Sequence, residues 1–446
     1  SIADGIALVI VHQAGKGDAV AQALREEGLH VLSSPDGDTA GKSIREVFSI
    51  VRAKIERLEA ERAQLTQDLL DLSQRIAAPM QAAAQIIQTR VAQLEITDNF
   101  AQSKLIAVIH GWVPSESLED LTRDLKTTFG ARVALSTLST ADVEINRIPT
   151  LLQNATFFKP FQVLLSIMKP ATYGTFDPTA LVAIGFIFFY GFIVGDAGYG
   201  LAIIGLAYWV RSKWGHIPVV NDASVVFQWM GISTTVFGVL FGEFLGGVPG
   251  ALGLPVIFHR AHETTQLLTL AVLVGLIHIV TSLVIAVREG FAHGHRKHAE
   301  EKLALLLGLV ALLTVALGGK AGIPFSGGIA GLIFLASVVL FVRSMGAMAP
   351  MGIIEIIGLS ANVLSYARLM ALGIAGIAFA DIANGMPAAM GIVGVIGALG
   401  VHIFNFGLSV FSPTIHSLRL NLVEFLPKFY ETEGRPYQPF RKDMAW

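Results

Sequence analysis

Between residues 178 and 425 the chain is a succession of long apolar runs, each near the ~20 residues that carry an α-helix across a bilayer. Eight such segments are read, at 178–194, 199–211, 224–245, 264–287, 302–318, 327–343, 352–382 and 388–424. The last two exceed a perpendicular crossing. At about 1.5 Å per residue they must tilt or extend beyond the membrane. The stretch before residue 150 is different in kind, mixed and rich in Gln, Glu, Arg and Asp. Only 15% of the chain is charged, against about 25% for an ordinary soluble domain. The expected fold is therefore a mainly α membrane protein with eight transmembrane helices and an N-terminal cytoplasmic α/β domain bearing a long helical coiled-coil arm.

The expected divisions are a cytoplasmic domain at 1–150, a linker at 151–177, the membrane domain at 178–424 and a cytoplasmic tail at 425–446. Within the first, IALVIV (6–11) and residues 28–32 read as strands around a helix at 18–27. Residues 39–97 are nearly devoid of Gly and Pro and carry Ile44, Val51, Leu58, Leu65, Leu69, Leu72 and Ile76 at helical spacing. They predict a long arm, with Pro79 marking a reversal or kink before a return arm at 80–97. KLIAVIH (104–110) reads as a strand, 115–129 as a helix capped by Ser115, and 131–135 as a last strand. GDTAGKS (37–43) mimics a phosphate loop but falls one residue short between its first Gly and the GK, so it reads as a helix start. The chain opens Ser-Ile-Ala with no signal-peptide pattern, and is expected to begin partway into a longer protein.

The net charge of −2 excludes a nucleic-acid surface, and the lack of cysteine excludes disulfide and thiolate chemistry. Basic residues orient the segments. Loops on the N-terminal side hold Arg211, Lys213, Arg288, Arg296, Lys297, Lys302 and Arg343; the opposite loops hold Arg260 and Lys320. This places both termini in the cytoplasm.

Charges inside apolar segments are the informative residues, because each costs several kcal/mol, ~2.5–3.5 on insertion scales. Arg368 lies in LSYARLMALGIA and Arg419 in HSLRLNLVEF. Neither has an acid within one helical turn; Glu424 stands five residues beyond Arg419. His402, Asn405, Ser409, Ser412, His416 and Arg419 recur at steps of three and four and fall within an arc of about 100°, one polar stripe on one helix. Such a stripe must face protein or water. An interhelical hydrogen-bond seam is the plain alternative, but a seam has little use for an unpaired arginine. Guanidinium does not deprotonate, so it holds charge and does not relay protons. Pro413 should kink the stripe near Ser409.

Asp196, Glu243, His259, Arg260, His262 and Glu263 gather near the outer ends of segments, with His278 inside the fourth. Arg288, His293, His295, His298, Glu300, Glu301 and Glu355 lie toward the inner side. Titratable groups at both faces, with arginines between, suggest two half-access routes that do not meet. The inner group reads equally as a solvated basic loop, and its histidines match no zinc spacing. Gly238, Gly242 and Gly246, and Gly391, Gly394, Gly397 and Gly400, read as close-packing signals.

Several stretches resemble one family, the V/A-type rotary ATPase membrane subunit called a in eukaryotes and I in prokaryotes: FDPTALVAIGFIFFYGFIVGDAGYG (176–200), FGVLFGEFLGG (237–247), GLIHIVTSLVI (275–285), LSYARLMALGIA (364–375), HSLRLNLVEFLPKFYETEGRPYQPF (416–440) and GWVP (111–114). The resemblance implies a non-catalytic stator subunit without a cofactor, in which Arg368 and Arg419 face the carboxylates of a turning ring. It implies an outer half-channel at Asp196, Glu243, His259, Arg260 and His262, and an inner one at Arg288, His295, His298 and Glu301. The implied partners are a proteolipid rotor ring with a buried Glu, E/G-type peripheral-stalk subunits, a d/C-type central-stalk adaptor and membrane lipid. The implied site is a prokaryotic plasma membrane. The rival reading is a self-contained secondary transporter, although no repeat relates 178–300 to 302–424. A purely structural anchor would give Arg368 no task. Na⁺ stands beside H⁺ as coupling ion.

Overall fold

The computed structural model describes residues 15–26, 44–97, 100–140, 143–247, 260, 263–321, 326–430 and 432–439. The chain divides into two units, residues 1–110 with 440–446, and residues 111–439.

In the first unit, helix α1 (Gly17–Glu26) occupies the predicted helical stretch. Helix α2 (Ile44–Thr97) then runs unbroken for 54 residues, with Pro79 inside it. The expected reversal does not occur. Ala-rich, strongly helix-forming sequence flanks Pro79 on both sides, and no turn residues are present to bend the chain back. The carbonyl that Pro79 cannot engage lies on a solvent-exposed segment where water substitutes. The apolar positions Leu58, Leu65, Leu69 and Leu72 are all exposed on it. The only strands described in this unit are short: β1 (Ala101–Gln102) pairs antiparallel with β2 (Ala107–Val108), so the 104–110 strand shrinks to its middle. The stretches 6–11, 28–32 and 37–43 lie outside the described residues.

The second unit opens with a 3₁₀ turn, Ser115–Ser117, into α3 (Leu118–Phe129). Ser115 is thus inside the turn and is not the cap. Residues 131–135 form no strand; Gly130–Arg132 is another 3₁₀ turn. The ladder lies elsewhere: β3 (Pro149–Thr150) runs parallel to β4 (Arg435–Pro436), tying the expected linker to the tail. That linker also contributes α4 (Gln162–Leu165) and buries Phe161, Leu164 and Leu165 in the core.

The apolar segments are helical: α5 (Thr179–Val194), α6 (Ala197–Trp214), α7 (Pro218–Phe241), α8 (Thr264–Ala292), α9 (Arg296–Ala321), α10 (Ser326–Met345), α11 (Ala349–Leu364) and α12 (Ala367–Arg419). By length and apolarity, four helical stretches qualify to cross a membrane: 218–241, 264–292, 327–345 and the continuous run 349–428. Helix α5 is apolar all round, as a helix enclosed by others should be. Phe186, Tyr190 and Val194 enter one core cluster, with Met230 and Phe425. Phe189, Phe192 and Ile193 enter a second, with Ile279, Tyr366 and Leu420.

The seventh segment is interrupted at Ser365–Tyr366, and the seventh and eighth are merged in α12 up to a break at Gly391 (φ 60°, ψ −136°). A side chain is strongly disfavoured in that conformation, so Gly391 marks the break; a Cβ there would meet nothing within 4 Å, so the close packing expected of it is not found. Helix α12 continues through Pro413. The carbonyl of Ser409, which Pro413 cannot engage, accepts a hydrogen bond from the Tyr190 hydroxyl at 2.9 Å. Beyond Arg419 the chain winds a π-helical turn, Leu420–Phe425.

Candidate functional site: two arginine centres in one helical unit

The outer group divides into structural and cavity-lining parts. Asp196 caps α6, its Oδ1 accepting from the Tyr199 amide at 3.0 Å. The same carboxylate accepts from the amides of Leu245 (2.9 Å) and Gly246 (2.7 Å). Arg260 is 1% exposed. It donates to the carbonyls of Phe192, Ile193, Val194 and Gly195, closing the C-terminal end of α5. Its other edge makes a bidentate pair with Glu243, with Nε–Oε1 at 3.0 Å, and it stacks over Phe241 at 4.5 Å. Gly195 makes this possible. It is left-handed (φ 47°), and a Cβ there would stand 2.8 Å from Arg260 Nη1.

Beside this clasp lies a cavity of about 230 Å³, lined by Asp196, Tyr199, Glu243, Asn405, Ser409 and Ser412 among others. The stripe on α12 thus meets the outer acids. Asn405 donates to the Tyr199 hydroxyl (3.0 Å) and to the Gly376 carbonyl (2.9 Å). His402 bridges Tyr199 (2.9 Å) and Asn384 (3.2 Å). Asp381 accepts from the Gly247 amide at 3.2 Å. Glu263 begins α8 without capping it by its side chain. His259 and His262 lie outside the described residues.

The arginine centre is built where the interrupted seventh segment meets the π turn. Arg368 Nη2 donates to Ser365 Oγ at 3.2 Å, and Ser365 Oγ donates to Glu424 Oε1 at 3.0 Å. Arg419 Nε stands 3.5 Å from the same oxygen. A π turn closes i→i+5 hydrogen bonds and turns less per residue than an α-helix, so Glu424, five residues on in sequence, comes beside Arg419. Arg368 has no carboxylate within salt-bridge range among the described residues, and its Nη1 is buried without a partner there. His278 belongs to this region and not to the outer cavity. It bonds the Tyr366 hydroxyl at 2.7 Å and stacks on Phe425 at 4.0 Å. His278 Nε2, His416 Nδ1, Ser417 Oγ, Asn421 Oδ1 and Glu424 Oε2 are likewise buried without a partner among the described residues.

At the inner side a cavity of about 150 Å³ is lined by Glu289, His293, His295, His298, Thr175 and Asn146 among others. His293 Nδ1 is 3.5 Å from Glu289. Just ahead of the 302–318 stretch, His298 (3.7 Å) and Lys302 (2.8 Å) hold the Glu301 carboxyl down to about 2. Glu300 pairs with Arg343 at 3.2 Å. Arg288 and Glu355 are exposed and do not line this cavity. The described residues contain no metal-holding cluster.

Four helical stretches of this length and apolarity mark an integral membrane protein. Residues 29–226 match the V-type ATPase 116kDa subunit family. The chain is 30% identical to the A-type ATP synthase subunit I of Methanocaldococcus jannaschii, covering 90% of this chain and 64% of the relative. It is 26% identical to that of Pyrococcus horikoshii (97% and 68%) and 25% identical to the V-type ATP synthase subunit I 1 of Treponema pallidum (87% and 68%). The chain is similar to members of this V/A-type subunit a/I family over most of its own length, and it spans about two thirds of the length of these relatives.

Tyr199, Ser365, Asp381, Asn384 and Asn421 join these sites without a role read for them in the sequence. Asp381 carried the same signal as Arg368, a charge inside an apolar segment. Glu424 required the π turn to be known.

Proposed function

We propose that this chain is the stator of a proton-translocating V/A-type rotary complex, with eight membrane crossings and both termini in the cytoplasm. The observation that carries this is Arg368, a half-buried guanidinium bonded, among the described residues, only to a serine hydroxyl. A charge so placed costs several kcal/mol unless a partner answers it. A carboxylate on a moving ring is such a partner. The outer cavity, with its Tyr199–His402–Asn405 hydrogen bonds, delivers protons from outside to that carboxylate. Once neutral, it crosses lipid at tolerable cost. On meeting Arg368 and Arg419 it is ionised again, because a nearby positive charge favours the carboxylate form. The released proton leaves through the inner cavity around His295 and His298. The arginines bar direct passage between the two routes. The ring, the peripheral stalk that holds this subunit still and the central-stalk adaptor are its partners, and ATP chemistry belongs to other subunits.

The test is Arg368→Ala in the reconstituted complex. Assembly should be retained while ATP-driven proton uptake into vesicles falls at least a hundredfold. Full coupled uptake by the variant would overturn the proposal.

A further inference from the structure

The two arginines of the centre are not equivalent. Arg368 has no acid in reach among the described residues, whereas Arg419 already faces an acid of its own chain. The way it does so is unusual. Arg419 Nε and Glu424 Oε1 stand 3.5 Å apart, beyond the ~2.7–2.9 Å of a charge-assisted hydrogen bond. The guanidinium makes no hydrogen bond among the described residues. The two side chains are 54% and 4% exposed, so the arginine opens outward and the acid stays behind it. Glu424 is held to the protein by Ser365, and its Oε2 is buried without a partner among the described residues.

From this geometry we infer that Glu424 is a resident counter-ion, occupying Arg419 from the protein side until a carboxylate on a neighbouring chain takes the outer side. The inference rests on the stator reading for the identity of that neighbour. Its physics is that of exchange. An outward guanidinium has donor edges to offer an arriving carboxylate without first breaking hydrogen bonds. When the arrival engages Arg419, Glu424 remains anchored by Ser365. When the arrival departs, Glu424 again answers the charge, so Arg419 is never left bare in an apolar setting. A pair built for permanence would instead be short, bidentate and closed on both sides, as Arg260–Glu243 is. Ser365 links the two halves of the centre, because its hydroxyl accepts from Arg368 while donating to Glu424.

The experiment uses the whole complex in vesicles. It measures ATP-driven proton uptake, with co-purification of the ring as the assembly readout. Glu424→Gln keeps size and hydrogen-bonding capacity but removes the charge. It should assemble and lose at least tenfold in uptake, and Glu424→Asp should recover to within threefold of the unmodified complex. A Glu424→Gln complex that pumps within twofold of normal overturns the inference, as does an Asp variant no better than the Gln variant. Should Glu424→Gln fail to assemble, Arg419→Gln/Glu424→Gln decides. Removing both charges should restore ring co-purification if the pair is a counter-ion pair, and continued failure overturns it. Arg368→Ala is run in parallel. If it pumps normally, the stator reading itself falls; if it is inactive while Glu424→Gln is normal, only this inference falls.

Discussion

Arg260 and Arg419 each face a carboxylate of their own chain, yet the protein holds them in opposite ways. Arg260 is sealed, bonded to the last carbonyls of α5, bidentate to Glu243 and stacked on Phe241. Every donor edge is used, so the group can only hold α5, the 243–247 turn and residue 260 together. Arg419 is half exposed and touches one acid oxygen at 3.5 Å. The distinguishing quantity is how much of the guanidinium's hydrogen-bonding capacity the chain itself consumes.

The sharpest way to break that contrast is to remove each arginine in turn. Arg260→Met leaves Glu243 buried and unpaired and strips the C-terminal end of α5. It should cost about 3–5 kcal/mol, read as a collapse of thermal stability in detergent. Arg419→Gln should cost clearly less, because no hydrogen bond of the arginine is lost and Ser365 still donates to the buried Glu424. Equal losses would erase the distinction. Asp196→Ala comes next. It removes a helix cap and the acceptor for the amides of Leu245 and Gly246, and should cost about 2–3 kcal/mol on the same measurement. The smallest effect concerns Glu301. Folding depresses its carboxyl from 4.5 to about 2. Its stabilising contribution is therefore complete above about pH 4.5 and is lost as pH falls toward 2. A pH titration of melting temperature should show this loss shrink in Glu301→Gln. An identical acid limb in both proteins would remove Glu301 from the inner cluster's electrostatics.

The apolar rhythm made the helices legible, because burial in a membrane or in a core selects the same side chains. It also made the polar stripe legible, since His402, Asn405, Ser409 and Ser412 keep helical spacing and all four line one cavity or bond Tyr199. Pro79 ends no helix, because no turn residues follow it, and Pro413 lies inside α12 with its orphaned Ser409 carbonyl taken up by the Tyr190 hydroxyl. The role of Arg260 was illegible, because four of its partners are backbone atoms distant in sequence. The grouping of His278 with Tyr366 depended likewise on how α8 meets the interrupted seventh segment.

The π turn at Leu420–Phe425 has a consequence for how this chain tolerates change in length. It stores one surplus residue in a helix whose neighbours are tightly packed. Deleting a single position within it would let the segment relax to an α-helix while everything downstream keeps its phase, because the wider turn absorbs its extra residue without advancing the helix. Phe425 would keep its stack on His278, and the tail strand would still meet Pro149. A one-residue deletion just upstream, in the regular part of α12, would instead rotate that end by about 100°.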